Sequence, residues 1–576
     1  MPPRRARPLH RHSAQLDAQH PAQNGRSVLT LPSALTLPEI IADHGVNRAD
    51  HVAIRFLQRG EAVTAEARYA DLAQAVSTMA AGLYRAGLSG TPVVLALPPG
   101  LDFSIALLAC LRAGAIAVPI PYPPQGQEAK QRLTAMLGDL GIATALGTGD
   151  PALDSVGLRR VDPAELDCAP LPMPFPAPDA PAVIQYSSGS TRTPRGIVIS
   201  HANIVANQHM IREMFDSGPD TIALNWLPPH HDMGLFGALL HPLFLGGTAI
   251  LMPPMAFIQR PLRWLEAISH HRATIAGAPN FGYDLCVRRV SPDQAATLDL
   301  SSLTVTFCGA EPVRAASLMN FAAHFASSRF DPDSYSPCYG LAEATLLAAS
   351  TPCGAGVRTV VRDDGHRHIA CGIAPSASRM RICGPQDGQV LPPGETGEIC
   401  LAGPHVAIGV WHGASGTVAP MPELYDEDGT SWLRTGDLGV LGPHGLVIHD
   451  RIKDLIIVHG RNIYAADAEA IAMDVAGASL QAVAAVALNV AADERLLLLC
   501  EVPRTHARTL DLDALAEKIA RPVAEGCGAL PEVAFVAAGA LPRTTSGKIR
   551  RQAARQAYHA QTLRTLAGKD AQWANA

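Results

Sequence analysis

Between the apolar run Ala182-Val183-Ile184 and the strand-like Ile197-Val198-Ile199, the chain places Ser187, Ser188, Gly189, Ser190 and Thr191, with Arg192 and Arg195 just beyond. Small hydroxyl residues around a glycine give a loop whose N–H and O–H donors can converge on phosphate oxygens, with guanidinium charge beside them. The Walker A spacing of glycines and lysine is absent, so the loop is not of that kind. By composition alone the same residues also suit a solvated connector. A second cluster, His230-His231-Asp232, has metal-ligand residue types. Adjacent histidines cannot easily face one ion, however, and no further ligand cluster follows. A third candidate is Lys548. Five of the 46 basic residues are lysines: Lys130, Lys453, Lys518, Lys548 and Lys569. A coding bias towards arginine accounts for the scarcity. Where lysine persists, a compact ammonium on a thin stem becomes a candidate requirement, because the wide guanidinium fork fits differently.

The order of residues 185–196 resembles the nucleotide loop of the adenylate-forming superfamily, usually written Tyr-x-Ser-Gly-Ser-Thr-Gly-x-Pro-Lys-Gly. Further matches follow in sequence. Gly309-Ala310-Glu311-Pro312 resembles the adenine-side loop. Tyr339-Gly340-Leu341-Ala342-Glu343 resembles the motif whose aromatic residue lies by the adenine and whose Glu helps hold Mg²⁺. Trp432 to Asp437 resembles the stretch whose Asp holds the ribose hydroxyls, a role Arg451 shares. Arg451-Ile452-Lys453-Asp454 resembles the family hinge, and Leu541 to Lys548 the motif with the catalytic lysine. Within the superfamily, Asn225 to Leu235 and Gly277 to Cys286 resemble the fatty acyl-AMP ligase branch.

The resemblance implies an enzyme that uses ATP and Mg²⁺ to convert a fatty or other aliphatic acid to acyl-AMP. The acyl group then passes to the phosphopantetheine thiol of a holo-acyl carrier protein supplied in trans, in lipid, polyketide or lipopeptide biosynthesis. Free CoA or an amine is the alternative acceptor. It also implies Lys548 as the catalytic cation, Glu343 at the metal, and Lys453 at the hinge. His231, Phe236, Gly237 and Asn280 are implied around the acyl pocket.

Four features depart from the pattern. Arg195 replaces the loop lysine, Asp450 stands where Gly often precedes the hinge arginine, and Ala465-Ala466 replace Pro-Gln. The insertion typical of fatty acyl-AMP ligases is short: Val357 to Ile369 reads as a hairpin around Asp363-Asp364-Gly365. That shortness makes acyl-CoA formation the second reading.

The elements that must carry these residues alternate short β-branched runs with amphipathic stretches, which predicts an α/β architecture with largely parallel sheet. Asp71 to Gly87 and Ser104 to Ala113 read as helices, and Pro92 to Leu97, Ala115 to Ile120 and Leu455 to Val458 as strands. Combined with the resemblance, this predicts a large N-terminal adenylating domain (27–450) with mixed sheets and flanking helices. A hinge (451–454) and a small mobile α+β C-terminal lid domain (455–576) follow, and residues 1–26 form a disordered tail. The whole chain of 576 residues carries a formal charge of -6, and that mild acidity argues against nucleic-acid binding. Phe103 to Ile120, interrupted by Arg112 and Gly114, reads as a buried helix and strand rather than a membrane span. The 11 cysteines include no closely spaced pair that would suggest zinc or a disulfide framework. Free thiols and the absence of a signal-like apolar run predict a cytoplasmic protein. Arg550, Arg551 and Arg555 read as a surface attractive to an acidic carrier.

Overall fold

The computed structural model describes residues 35–122, 126–141, 144–147, 159–166, 169–186, 195–361, 367–458, 461–490, 493–543 and 548–566. The tail 1–26, the loop residues Ser187, Ser188, Gly189, Ser190 and Thr191, and Thr544 to Gly547 fall outside them.

The apolar spacing of the sequence reappears as buried faces. The helix Tyr69–Arg85 buries Leu72, Val76, Ala80 and Leu83, one stripe at helical spacing. The helix Leu101–Ala113 is buried almost all round and ends at Gly114, whose φ of 71° is the left-handed conformation of a helix C-terminus. The strand Ile116–Pro119 follows, fully buried as the core strand of a parallel sheet should be. No helix among the described residues is long and apolar enough to cross a membrane. The ten described cysteines are free.

Two eight-stranded sheets form the bulk of the molecule. In spatial order the first runs Leu347–Ser350, Tyr335–Gly340, Val305–Cys308, Ile275–Gly277, Ile222–Asn225, Thr248–Leu251, Val52–Phe56 and Ala65–Arg68. The second runs Thr417–Ala419, Gly409–His412, Gly196–Ser200, Pro181–Tyr186, Ile116–Pro119, Pro92–Leu95, Thr144–Leu146 and Arg159–Val161. Their centres are parallel, as the alternation predicts; both edges of the first sheet are antiparallel, while the second is antiparallel from Thr417–Ala419 to Pro181–Tyr186 and parallel to its other edge. The candidate phosphate loop joins two of these antiparallel neighbours, Pro181–Tyr186 and Gly196–Ser200. A third, antiparallel sheet carries the long bulged strand Thr430–Gly442 between Gly397–Ala402, Leu424–Glu427 and Gly445–Arg451.

Residues beyond 455 build their own small α+β layer. Ala482–Val490 pairs antiparallel with Asp493–Val502, which pairs parallel with Glu532–Ala537. Its two faces alternate residue by residue. Val483, Ala485 and Ala487 pack with Leu515, Ile519 and Val523 of the helix Leu512–Cys527. On the other face Ala482, Ala484 and Val486 pack with Leu541 and with Ala554 of the helix Arg551–His559.

One helix organises the loops around the site. His201–Phe215 starts at Ser200, whose hydroxyl accepts from Asn203 N. The helix then buries three amide side chains, Asn203, Asn207 and Gln208. Asn203 Nδ2 donates to the carbonyls of Pro404 (2.8 Å) and Val406 (2.9 Å). Asn207 donates to Leu347 O (2.9 Å) and accepts from Leu347 N (3.1 Å). Gln208 donates to Phe236 O at 3.0 Å and its Oε1 meets His241 Nδ1 at 2.9 Å. Buried amides satisfied in this way fix a geometry, because each loop that lets go leaves a buried polar group unpaired.

Candidate active site

Asp437 is 5 % exposed and sits on the bulged strand opposite Arg451. Tyr339 Oη donates to its Oδ2 at 2.8 Å, and Arg451 Nε lies 3.0 Å from Oδ1. Three motif residues from two sheets therefore meet at one carboxylate. The turn that presents it is held by Glu398, which accepts from Gly436 N (2.9 Å) and Arg434 Nε (2.6 Å). Glu398 carries no motif signal and was not foreseen.

Glu343 lies on a single turn, Ala342–Ala344, whose neighbours leave it little freedom. Its backbone carbonyl accepts from Ala407 N at 2.9 Å, and Asn207 grips Leu347 just beyond. Thr345 holds φ 63°, rare for a β-branched residue, and its hydroxyl is tied to His405 O at 2.7 Å. Gly340 precedes the turn, where a Cβ would collide with the carbonyl of Leu346, so Leu341 and Ala342 are reached only through a glycine. Burial pushes the Glu343 carboxyl above the ordinary range, while Arg451 and Arg195 oppose that rise. A half-buried carboxylate whose charge is disfavoured by burial suits a cation.

The adenine-side loop, Gly309, Ala310 and Glu311, carries a second backbone outlier, Ala310 at φ 72°. Glu311 Oε1 is buried and accepts no hydrogen bond, an open acceptor that suits a donor-bearing ligand. Asn280, expected at the acyl pocket, instead props up this loop. Its Nδ2 donates to Pro312 O and its Oδ1 accepts from Arg314 N, both at 2.9 Å, and the residue is 1 % exposed.

Lys548 is half-buried. Burial lowers the pKa of its ammonium, while Asp232, Glu311 and Asp437 raise it and Arg451 adds to the lowering. The lysine thus lies in the field of the same residues the motifs single out. Asp232 is its leading anionic neighbour. Burial pushes the Asp232 carboxyl up and Lys548 pulls it back. Asp232 also accepts from Met233 N (2.7 Å) at the start of the π-helix Met233–Leu240. Sequence reasoning weighed Asp232 only as part of a metal triplet. Among the described residues no group of three His, Cys, Asp or Glu could hold a metal ion.

His231 begins the same stretch, its N–H on Pro228 O (3.1 Å) and its carbonyl accepting from Leu235 N (2.7 Å). Gln185, beside the phosphate loop, donates to His230 O at 2.6 Å. Phe236, expected near the acyl pocket, is fully buried in the central core. A Cβ on Gly237 would stand 3.1 Å from Leu346 Cδ2, so that position borders Leu346 closely.

Arg195 was expected to reach phosphate. Its guanidinium is bound in bidentate fashion to Glu423, at 2.6 and 2.8 Å. Glu423 lies far along the chain, so the partner is invisible in local spacing. On the other side of the loop, Tyr186 Oη donates to Asp139 Oδ2 at 2.7 Å. Both flanks are therefore pinned. Lys453 is exposed on a short turn, and its carbonyl accepts from Gln552 Nε2 at 3.1 Å. Arg551 is no surface charge. Its side chain is 16 % exposed and set among Asp450 (2.9 Å), Asp454 (3.3 Å) and Glu469 (2.7 Å).

Comparison with known proteins decides the family. The AMP-binding enzyme description matches residues 41–411. The chain belongs to the AMP-binding enzyme family. To a medium-chain-fatty-acid–acyl-carrier-protein ligase of Moorena producens it is 33% identical, over 93% of this chain and 97% of the relative. To a long-chain-fatty-acid–AMP ligase of Mycobacterium marinum it is 34% identical, over 83% of this chain and 89% of the other. A solved structure from work on fatty acyl-adenylate ligases of E. coli and L. pneumophila superposes with a TM-score of 0.79. It shares 29% identity, covering 92% of this chain and 98% of that one. In this AMP-binding enzyme Tyr339, Asp437 and Arg451 thus meet at one carboxylate, and Lys548 lies in the field of Asp437, Glu311 and Asp232.

Proposed function

We propose that this AMP-binding enzyme activates a fatty or other aliphatic carboxylic acid with ATP and transfers the acyl group to the phosphopantetheine thiol of an acyl carrier protein. In the first step the carboxylate oxygen bonds to the α-phosphorus of ATP, and the bond from that phosphorus to the pyrophosphate oxygen breaks. Acyl-AMP forms, and AMP is a far better leaving group than oxide. In the second step the thiol sulfur, having lost its proton, bonds to the acyl carbon and AMP departs.

Chemistry of the first kind needs alignment and charge stabilisation more than covalent help. Asp437, held by Tyr339 and Arg451, offers acceptors to the ribose hydroxyls. Glu311, Ala310 and Gly309 lie on the adenine side, with Tyr339, Gly340, Leu341 and Ala342 closing it. Lys548 supplies the cation between the carboxylate and the α-phosphate. Glu343 would hold Mg²⁺, which carries phosphate negative charge when bound and needs only one or two carboxylates beside the phosphates. The observation that carries the reading is the placement of Lys548 in the field of Asp232, Glu311 and Asp437. Residues 27–450 would form the adenylating domain and 455–576 a lid that turns about 451–454, with Lys453 at the hinge. The free thiols fit a cytoplasmic location.

A second reading, free CoA as acceptor, draws on the sequence expectation that the segment Val357 to Ile369, which carries the paired strands Thr359–Val361 and Arg367–Ile369, is a short form of the branch's insertion. Purified enzyme given ATP, Mg²⁺ and a series of fatty acids should release pyrophosphate. With CoA and holo-carrier protein offered together, intact-mass analysis should find the acyl group on the carrier. Exclusive acyl-CoA would overturn the carrier assignment, and no pyrophosphate with any acid would overturn the whole reading.

A further inference from the structure

Asp450 is the residue that departs most sharply from the family pattern, a buried carboxylate where glycine often stands. It is 3 % exposed, at the end of the strand Gly445–Arg451, and pairs through its backbone with Leu438 of the third sheet. Both of its oxygens are committed. Oδ1 accepts from Arg451 N (2.8 Å) and from Arg551 Nη1 (2.9 Å). Oδ2 accepts from Ala466 N (3.0 Å), in the first turn of the helix Ala465–Ala476, where backbone donors have no partner within the helix. The departure at Ala465-Ala466 is thus spatially joined to the departure at Asp450.

Arg551 lies three residues after Lys548 and opens the helix Arg551–His559. Its other acidic partners are Asp454, the last residue of the proposed hinge, and Glu469 beyond it. Glu469 takes Nε at 2.7 Å and Nη2 at 2.8 Å, and Asp454 takes Nη1 at 3.3 Å. Between Lys548 and the clamp the chain is braced by Arg550 N donating to Pro542 O at 2.8 Å. Of the three acids around Arg551, Asp450 alone lies on a strand of the third sheet.

We propose that Asp450 is a positioning residue for adenylation: it fastens Arg551 and the start of the helix Ala465–Ala476 to the third sheet, and so holds Lys548 towards Asp232 and Asp437. The proposal rests on the two-step reading above. Turning the C-terminal unit for acyl transfer has to break the Asp450 contacts to Arg551 and Ala466, while Arg551 keeps Glu469, which lies beyond the hinge. Asp450 therefore favours the first half-reaction and opposes entry into the second. A buried charged group gripping a guanidinium and a helix start is strong enough to bias such an equilibrium, because each hydrogen bond to it is charge-assisted.

The test separates the half-reactions in the full-length protein. Acyl-AMP formation is followed in single turnover with ATP and a fatty acid. Acyl transfer is followed from preformed acyl-adenylate to holo-carrier protein or CoA, whichever the wild type uses. Asp450→Ala and Asp450→Asn should each slow adenylation about tenfold or more, leave transfer unchanged or faster, and shift the thermal midpoint only slightly. Asp450→Glu should recover part of the adenylation rate. Equal slowing of both half-reactions, or adenylation within about twofold of wild type in the variants, overturns the proposal. Asp450→Asn keeps the shape and one acceptor, so it reports even where Asp450→Ala fails to fold. A wild type that forms no acyl-AMP refutes the function itself, a result distinct from a wild type active in both steps whose variants show no split.

Discussion

Replacing Lys548 isolates the one charge that the first half-reaction should need. The ammonium faces the field of Asp232, Glu311 and Asp437 and is half-withdrawn from water. A unit charge about 4 Å from a developing phosphoryl charge, at an effective dielectric near 20, contributes about 4 kcal/mol. That corresponds to about three decades in rate. Lys548→Ala should therefore lower pyrophosphate release with saturating fatty acid and ATP by about 10³-fold, in line with other preorganised donors. Lys548→Arg restores the charge but not the shape, and should recover no more than about tenfold of the loss. Both variants should accept preformed acyl-adenylate and transfer it within about threefold of wild type, since the lysine acts before that point. The assay is continuous pyrophosphate release for the first step and quenched-flow transfer for the second. The reasoning fails if Lys548→Ala keeps more than about a tenth of the pyrophosphate rate, if Lys548→Arg restores it fully, or if transfer collapses in parallel.

Other expectations follow from neighbouring groups. Asp437→Ala should raise the KM for ATP by about tenfold or more and abolish discrimination between ATP and 3′-deoxy-ATP, measured as the ratio of kcat/KM for the two. A retained preference would place the ribose elsewhere. Arg195→Ala should release the flank of the phosphate loop and raise the KM for ATP several-fold. Arg195→Lys should recover only part of that, because lysine cannot make the bidentate contact to Glu423; an unchanged KM in both would show that the pair does not shape the loop. Stability should fall on acidification below neutrality. Burial pushes His201 and His405 down to about 4 and His241 down to about 3. The unfolded chain takes up these protons near pH 6.5 and the folded chain does not, so their contribution is present above about 6.5 and is lost as pH falls towards 4. Each such histidine costs about 1.4 kcal/mol per pH unit across that window. Urea midpoints measured at pH 7, 6 and 5 should fall accordingly, and a flat series would contradict the burial argument.

The motifs were legible because they are local. Tyr339, Glu343, Asp437 and Lys548 stand in short runs whose order can be read without a structure, and the parallel strands announce themselves as continuous apolar runs between helices. What was not legible depends on contacts far apart in the chain. Nothing near Arg195 names Glu423, and nothing near Lys548 names Asp232 as its neighbour. Arg551 looks like part of a basic surface until three acids from two segments close around it. Asn280 sits in a stretch that resembles a substrate pocket, yet its amide is spent on the backbone of Pro312 and Arg314. Phe236, expected near the acyl pocket by resemblance, is fully buried on the π-helix Met233–Leu240.

The helix His201–Phe215 grips the segments at Val406, Leu347 and Phe236 with side chains spread over about one and a half turns. Those segments lead to the loop that holds Glu343 by its carbonyl, to the turn beyond Glu343, and to the π-helix behind Asp232. A shift of the helix therefore moves all three together, a common displacement rather than three independent ones. Distances between the groups that must meet the substrate depend on differences in position, from which a shared displacement cancels. The site can ride on a breathing core and still keep its own internal spacing.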